Sequence, residues 1–315
     1  MQIVLIGSLA VDQIMNFDGL FADMIQPDKL RVLSISVLIQ KLIRSRGGIA
    51  GNIAYSLALL GDTPLLYSSI GDDQRVYMKE LEKLGVNIDH VHYSSLPTAT
   101  FSVITDSNNC QVGGFYPGAM GDAKSLTIQK FADEDVLIVL SAHDPEQMAV
   151  QIDECLELKK RMYFDIGQQV IALSKETLRK GIHAAEVLIL NDYEMGMLSE
   201  RTELTPEEII QSVEVCIITL GERGSEIYSK QNKWEKQSIQ AVKVKKVVDP
   251  TGAGDAYRAG FLYGYTRGWD LKTSAQLGST LAAFVVEIHG TQEHVLTKSQ
   301  ITDRYKKQYH QDISL

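Results

Sequence analysis

In the stretch VVDPTGAGDAYRAGF, residues 247–261, three small residues, Gly252, Ala253 and Gly254, stand directly before Asp255. Val247 and Val248 read as the end of a strand, Asp249-Pro250-Thr251 as a turn, and a helix is expected to start near Ala253 or Gly254. Amides in a first helical turn have no partner within the helix and carry the positive end of its dipole, so they suit an anion. Glycine lets that anion lie against the backbone without meeting a Cβ. A carboxylate one step into the helix is then placed to accept the proton of an attacking hydroxyl, and phosphoryl transfer is mostly positioning and charge stabilisation. Taken alone, the stretch reads equally well as a tight turn and a capped helix, with Asp255 merely favouring the dipole. It is no Walker A loop, since G-x-x-x-x-G-K-[ST] occurs nowhere, and Tyr257 takes the place of the third glycine of G-x-G-x-x-G.

Three other stretches carry candidate chemistry. In RGGIAGNIAYSLALLG, residues 46–61, Gly47, Gly48 and Gly51 open a helix whose Ile53, Leu57 and Leu60 form an apolar stripe. Asn52 stands at its start, where by itself it reads as a residue that caps or solvates the first turn. In NDYEMGML, residues 191–198, Asn191 ends a strand and Glu194 lies one turn into a helix. That spacing is a capping box, and it also sits at a strand C-terminus, where open α/β sheets bind ligands. TLGERGSEIY, residues 219–228, runs a strand into a glycine loop and alone is only a turn. Arg258 could reach a phosphate or equally be a solvated helix residue.

The elements that must position these residues follow from the apolar pattern. Short continuous runs at 2–7, 64–71, 135–142, 161–167, 187–191 and 215–221 alternate with helical patterns at 50–60, 73–84, 145–159 and 175–186. Apolar strands separated by amphipathic helices predict a doubly wound α/β fold with a mostly parallel sheet. Residues 225–240 read as an edge hairpin around Gln231-Asn232, and the chain ends in helices with Gly268 and Gly290 as terminators. Two segments break the rhythm, 13–46 and 97–118. In TATFSVIT, Ala99, Phe101 and Val103 alternate with Thr and Ser, the period of a half-exposed strand, and DSNN marks a turn. These segments are expected to pair into a small antiparallel β lid, leaving 1–12, 47–96 and 119–315 as the large domain. An exposed apolar strand face on the lid makes a lid-mediated homodimer a natural expectation.

Composition excludes some classes. With 315 residues, 44% hydrophobic and 23% charged, the chain reads as an ordinary globular protein. A net charge of -9 argues against nucleic acid or an anionic membrane as partner, though not against a small anionic ligand. Cys110, Cys155 and Cys216 form neither a disulfide framework nor a zinc site. The N-terminus reads as a buried strand and no run spans a membrane, so a cytoplasmic protein is expected.

The Gly-Gly at 47–48, Asn-x-x-Glu at 191–194, Thr-Leu-Gly at 219–221 and Gly-Ala-Gly-Asp at 252–255 resemble, in their order, the ribokinase-type (PfkB) carbohydrate and nucleoside kinases. GSLAVD (7–12), RGGIAGN (46–52), FYPGAM (115–120), GQQ (167–169) and GTQE (290–293) are similar to the bacterial adenosine kinases within that family. The resemblance implies a ribokinase-like fold in which ATP and an acceptor meet above the strand ends, and adenosine gains a phosphate on its 5′-hydroxyl to give AMP. It implies Asp255 as the base and the amides of Gly252, Ala253 and Gly254 as an anion hole. Asp12, Gly48 and Asn52 match positions that hold sugar hydroxyls, and Ser8, Ser36, Phe101, Phe115, Gln168 and Gln169 match the nucleoside site. Asn191, Thr219, Gly221 and Gly224 fall in the nucleotide-binding motifs, and Glu194 matches the residue that organises Mg²⁺ through water. The family can also hold a monovalent cation near residues 249 and 285–290; Pro250, which lacks an N–H, argues against it. A ribose or fructose kinase of the same family, or a non-catalytic sensor of nucleotide or sugar, are the alternatives.

Overall fold

The computed structural model describes residues 1–25 and 34–315, so part of the 13–46 segment lies outside the described residues. Its main sheet has the order β14-β13-β12-β11-β10-β9-β1-β4. The parallel strands are β1 (Gln2–Ile6), β4 (Leu65–Leu66), β9 (Val136–Ser141), β10 (Arg161–Asp165), β11 (Val187–Asn191) and β12 (Val215–Thr219). The hairpin β13 (Ser225–Ser229) and β14 (Gln237–Ile239) adds two antiparallel strands at one edge.

Alternate side chains of each strand enter opposite layers, which is why the runs are apolar throughout. Leu137 and Val139 pack with α2 (Ile49–Leu59), α3 (Arg75–Lys83), α8 (Ala253–Thr266), α9 (Leu271–Val285) and α10 (Lys298–Tyr309). Ile138 and Leu140 pack with α4 (Pro145–Glu157), α5 (Lys175–Ala184), α6 (Asp192–Thr202) and α7 (Pro206–Gln211). The chain is therefore a doubly wound α/β fold, as the alternation predicts. Helices α8 and α9 meet backbone to backbone: a Cβ on Gly260 would fall 2.7 Å from the Gly278 Cα.

The run at 64–71 is not one strand. It splits into β4 and β5 (Ser69–Gly71), and β5 pairs in parallel with β6 (His92–Ser94) in a sheet of its own.

A separate four-stranded sheet is built from β2 (Ala10–Phe17), β3 (Ile39–Gly47), β7 (Ala99–Thr105) and β8 (Gln111–Tyr116), in the order β3-β2-β7-β8, with α1 (Phe21–Met24) following β2. It is mixed, not antiparallel as the sequence suggests, because its central pair β2–β7 runs parallel. Both strands start at the buried base, where Ala10 pairs with Ala99, and run outward together. The DSNN turn closes β7 onto β8. Asp106 there accepts backbone N–H bonds from Asn108 at 2.9 Å and Cys110 at 2.8 Å, and ties Phe21 down at 3.0 Å. Among the described residues no helix is long and apolar enough to cross a membrane.

Candidate active site

Four neighbouring strands end on polar residues at one edge of the main sheet: Ser141 on β9, Asp165 on β10, Asn191 on β11 and Thr219 on β12. Asp165 is in register with Ser141, and Asn191 with Thr219. The first two turns of α8 reach the same edge. There Arg258 Nη2 donates to Asp165 Oδ1 at 2.6 Å, with both side chains buried. Arg258 is thus not a solvated residue, and its Nη2 is taken by Asp165. Burial works against its cation, yet Asp165 and then Asp255 more than offset this and hold it charged.

Helix α8 starts at Ala253 with Gly252 as its N-cap, at φ +78°. A Cβ on Gly254 would lie 2.6 Å from Arg258 Nη1, so the guanidinium occupies the space a side chain would need. Asp255 Oδ2 accepts from Asn52 Nδ2 at 2.8 Å. Burial raises the Asp255 carboxyl to about 6; Arg258 and the Asn52 bond pull it back, while Asp165 and Glu194 add to the rise.

Asn52 is not a cap. It is the fourth residue of α2 and is buried, while the N-cap is Gly48 at φ +90°. The open amides of that turn go to Ser8 instead: Ile49 N–H donates to its Oγ at 3.1 Å and Ala50 N–H to its carbonyl at 3.2 Å. Ser8 thereby frees the Asn52 amide for Asp255. Gly48 is obligatory here, since a Cβ would come within 2.4 Å of the Ser8 carbonyl.

Asp12 stands on β2 beside the Gly47-Gly48 turn, its Oδ2 2.9 Å from where a Gly47 Cβ would be. Burial, and secondly the charge of Asp249, raise it to about 6. Ser45, Asp12, Phe101 and Phe115 are in register across β3, β2, β7 and β8, so all four project from one face of the small sheet. Phe101 and Phe115 are 40% and 51% exposed, not lid core. Gln169 Nε2 donates to the His143 carbonyl at 2.6 Å, whereas Gln168 is exposed. Ser36 is exposed in the irregular stretch before β3, and among the described residues no hydrogen bond ties it to the other candidates.

Asn191 and Glu194 form a reciprocal capping box at the start of α6: Glu194 N–H donates to Asn191 Oδ1, and Asn191 N–H to Glu194 Oε2, both at 2.8 Å. Burial raises Glu194, Arg258 opposes this, and Asp165 adds to it. The box uses Oε2 and leaves Oε1 for a hydrated cation. Among the described residues no group of three or more His, Cys, Asp or Glu could hold a metal ion. Thr219 Oγ1 lies 3.4 Å from the Leu190 carbonyl, and the loop beyond it turns through Gly221 at φ +60° and Gly224 at φ +94°. A Cβ on Gly224 would meet the Ile239 carbonyl at 2.0 Å. Asp249 accepts from Thr251 N–H at 2.9 Å and Gly290 N–H at 3.1 Å. Burial pushes it up, but these donors prevail and keep it below the usual carboxylate value.

Neither Asp165 nor Tyr77 belongs to a quoted motif, and Gln292 stands within GTQE (290–293) with no role given to it there. Asp165 had a signal, a charged residue closing an apolar strand at the ligand edge; Tyr77, on α3, had none.

The sequence pattern of the pfkB family carbohydrate kinases matches residues 2–298. The nucleoside kinase of Methanocaldococcus jannaschii is 32% identical over 315 residues, covering 97% of each chain. The structure of Burkholderia thailandensis nucleoside kinase in complex with inosine superposes with a TM-score of 0.85 at 30% identity, covering 98% of each chain. The structure of the same enzyme in complex with ADP-inosine gives a TM-score of 0.83 at 31% identity, covering 98% of this chain and 96% of that one. With its glycine-aspartate turn, its parallel sheet and its separate small sheet, this chain belongs to the pfkB family of carbohydrate kinases.

Proposed function

We propose that this kinase transfers the γ-phosphoryl group of ATP to the 5′-hydroxyl of a purine nucleoside, adenosine giving AMP. The observation that carries this is Asp255, held by Asn52 in the first turn of α8 beside the amides of Gly252, Ala253 and Gly254, of which Ala253 N–H also donates to the Pro250 carbonyl at 3.2 Å. The acceptor hydroxyl gives its proton to the Asp255 carboxylate, its oxygen bonds to the γ-phosphorus, and the bond to the β,γ-bridging oxygen breaks to release ADP. The amides at the α8 N-terminus neutralise charge on the phosphoryl oxygens. Asp12, the Gly48 backbone and Asn52 hold the ribose diol, with Ser8 shaping that turn. Phe101 and Phe115 stack on the base, and Gln168, Gln169 and Ser36 are assigned to its polar edges. Thr219, Gly221, Gly224 and Asn191 serve the nucleotide. Glu194 would hold Mg²⁺ through water, and the ion would supply charge neutralisation at the phosphates.

The purine assignment draws on similarity to a protein named nucleoside kinase and to one solved with inosine, together with the two exposed aromatics on the Asp12 face. Purine salvage in the cytoplasm is the setting it implies. The family's carbohydrate kinases favour a second reading, a kinase of ribose or fructose. An ATP-consumption assay over adenosine, inosine, ribose and fructose separates them. Turnover of a free sugar without either nucleoside would overturn the purine assignment, and ATP consumption with none of them would point to a sensor. A potassium titration in the same assay tests for a monovalent cation at Asp249.

A further inference from the structure

A chain of buried polar groups runs from the Gly47 carbonyl to Asp255. Tyr77 OH donates to that carbonyl at 3.0 Å. Gln292 Nε2 lies 2.6 Å from the Tyr77 oxygen and 2.8 Å from Asn52 Oδ1, and Asn52 Nδ2 lies 2.8 Å from Asp255 Oδ2. Tyr77, Gln292 and Asn52 are all buried, 1%, 2% and 5% exposed. Tyr77 fits so closely against α2 that a Cβ on Gly51 would meet its hydroxyl oxygen at 2.0 Å.

Donor and acceptor counting gives this chain one direction. A tyrosine hydroxyl has a single proton, and Tyr77 spends it on the Gly47 carbonyl. Its oxygen therefore accepts, which turns the Gln292 amide so that NH₂ faces it. The second Gln292 proton goes to Asn52, so Asn52 presents its oxygen to Gln292 and its NH₂ to Asp255. Without Gln292 nothing in this chain prevents the Asn52 amide from turning its oxygen toward the carboxylate, and two acceptors would then face each other.

We propose that Gln292 and Tyr77 are positioning residues that fix the orientation of the Asn52 amide and, through it, the carboxylate of Asp255. Tyr77 lies outside the quoted motifs and Gln292 within GTQE, and both act without touching substrate. This rests on Asp255 being the base, as proposed above.

The test is a kinetic cycle on the full-length protein with adenosine, inosine and ATP. Gln292→Met lowers kcat about tenfold, and Tyr77→Phe lowers it by less, both with the KM for ATP unchanged. In an Asn52→Ala background Gln292→Met has no further effect on kcat, because its path runs through Asn52. A general packing defect would instead lower kcat by the same factor in both backgrounds, and that result overturns the proposal. Should Gln292→Met fail to fold, Tyr77→Phe, which removes one oxygen, is carried through the same cycle, with the same equal-factor result overturning it. Asp255→Asn is run alongside: if it turns over normally, the assignment of the base falls and takes the relay with it. If Asp255→Asn is inactive while Gln292→Met and Tyr77→Phe keep the wild-type kcat, the relay alone falls.

Discussion

Arg258 Nη2 and Asp165 Oδ1 stand 2.6 Å apart inside the protein, joining the end of β10 to the second turn of α8. The pair fixes the turn that carries Asp255 to the rim of the sheet. Arg258→Met leaves the Asp165 carboxylate buried without its partner, and breaking a buried pair in this way costs about 3–5 kcal/mol. Urea unfolding should show that loss. Adding Asp165→Asn should recover part of it, because the orphaned charge is gone.

Asp255 and Asp12 both have carboxyls raised from 3.8 to about 6, chiefly by burial. A base must be ionised, so kcat/KM for the nucleoside is expected to fall as pH drops below about 6. Stability should run the other way for these two groups. The unfolded chain loses its protons first, so their contribution is full below 3.8 and is lost as pH rises through about 6. A pH–rate profile and thermal melts across that window measure the two trends, and melts that gain stability there with rising pH in wild type but not in Asp12→Asn would contradict the assignment.

Phe115 is exposed on the face that carries Asp12, in register with Phe101. Loss of one base-stacking ring costs about 1–3 kcal/mol. Phe115→Ala should therefore raise the KM for adenosine about tenfold or more and leave the KM for ATP unchanged.

Gly48→Ala would force a Cβ to within 2.4 Å of the Ser8 carbonyl at φ +90°. Strain of this kind costs about 1–3 kcal/mol. The expected result is a lower melting temperature together with a raised nucleoside KM, since the strained turn is the one that presents Asn52.

On the opposite face of the small sheet, Leu42, Met15, Ile104 and Val112 form one row across all four strands. Leu42 is 49% and Val112 58% exposed. We expect a second copy of the chain to cover this row, so light scattering should give twice the 35.0 kDa of one chain, and Val112→Lys should return it to one.

Much of this architecture was legible because it is local. Runs such as VLIVLS have no polar residue until their last position, and a strand buried on both faces has no other sequence form. The glycine-aspartate turn could be read the same way, since α8 begins where its small residues predict. What stayed hidden depends on residues far apart in sequence. Asn52 looked like a cap because nothing nearby shows that Ser8, 41 residues before Ile49, takes over the capping. The parallel pairing of β2 with β7 was missed because alternation gives a strand its faces and says nothing about the direction of its neighbour. Arg258 was ambiguous until its partner was known to end a strand 93 residues earlier.

The contact of Gly260 with Gly278 leaves α8 no room to slide or roll against α9. The donor end of the reaction is thereby built like an anvil, fixed in height above the sheet. On the proposed function, acceptors of different length would be accommodated from the other side, by the strands that carry Asp12, Phe101 and Phe115. Substrate range would then be a property of the four-stranded sheet, and could change without disturbing the place where the phosphate is handed over.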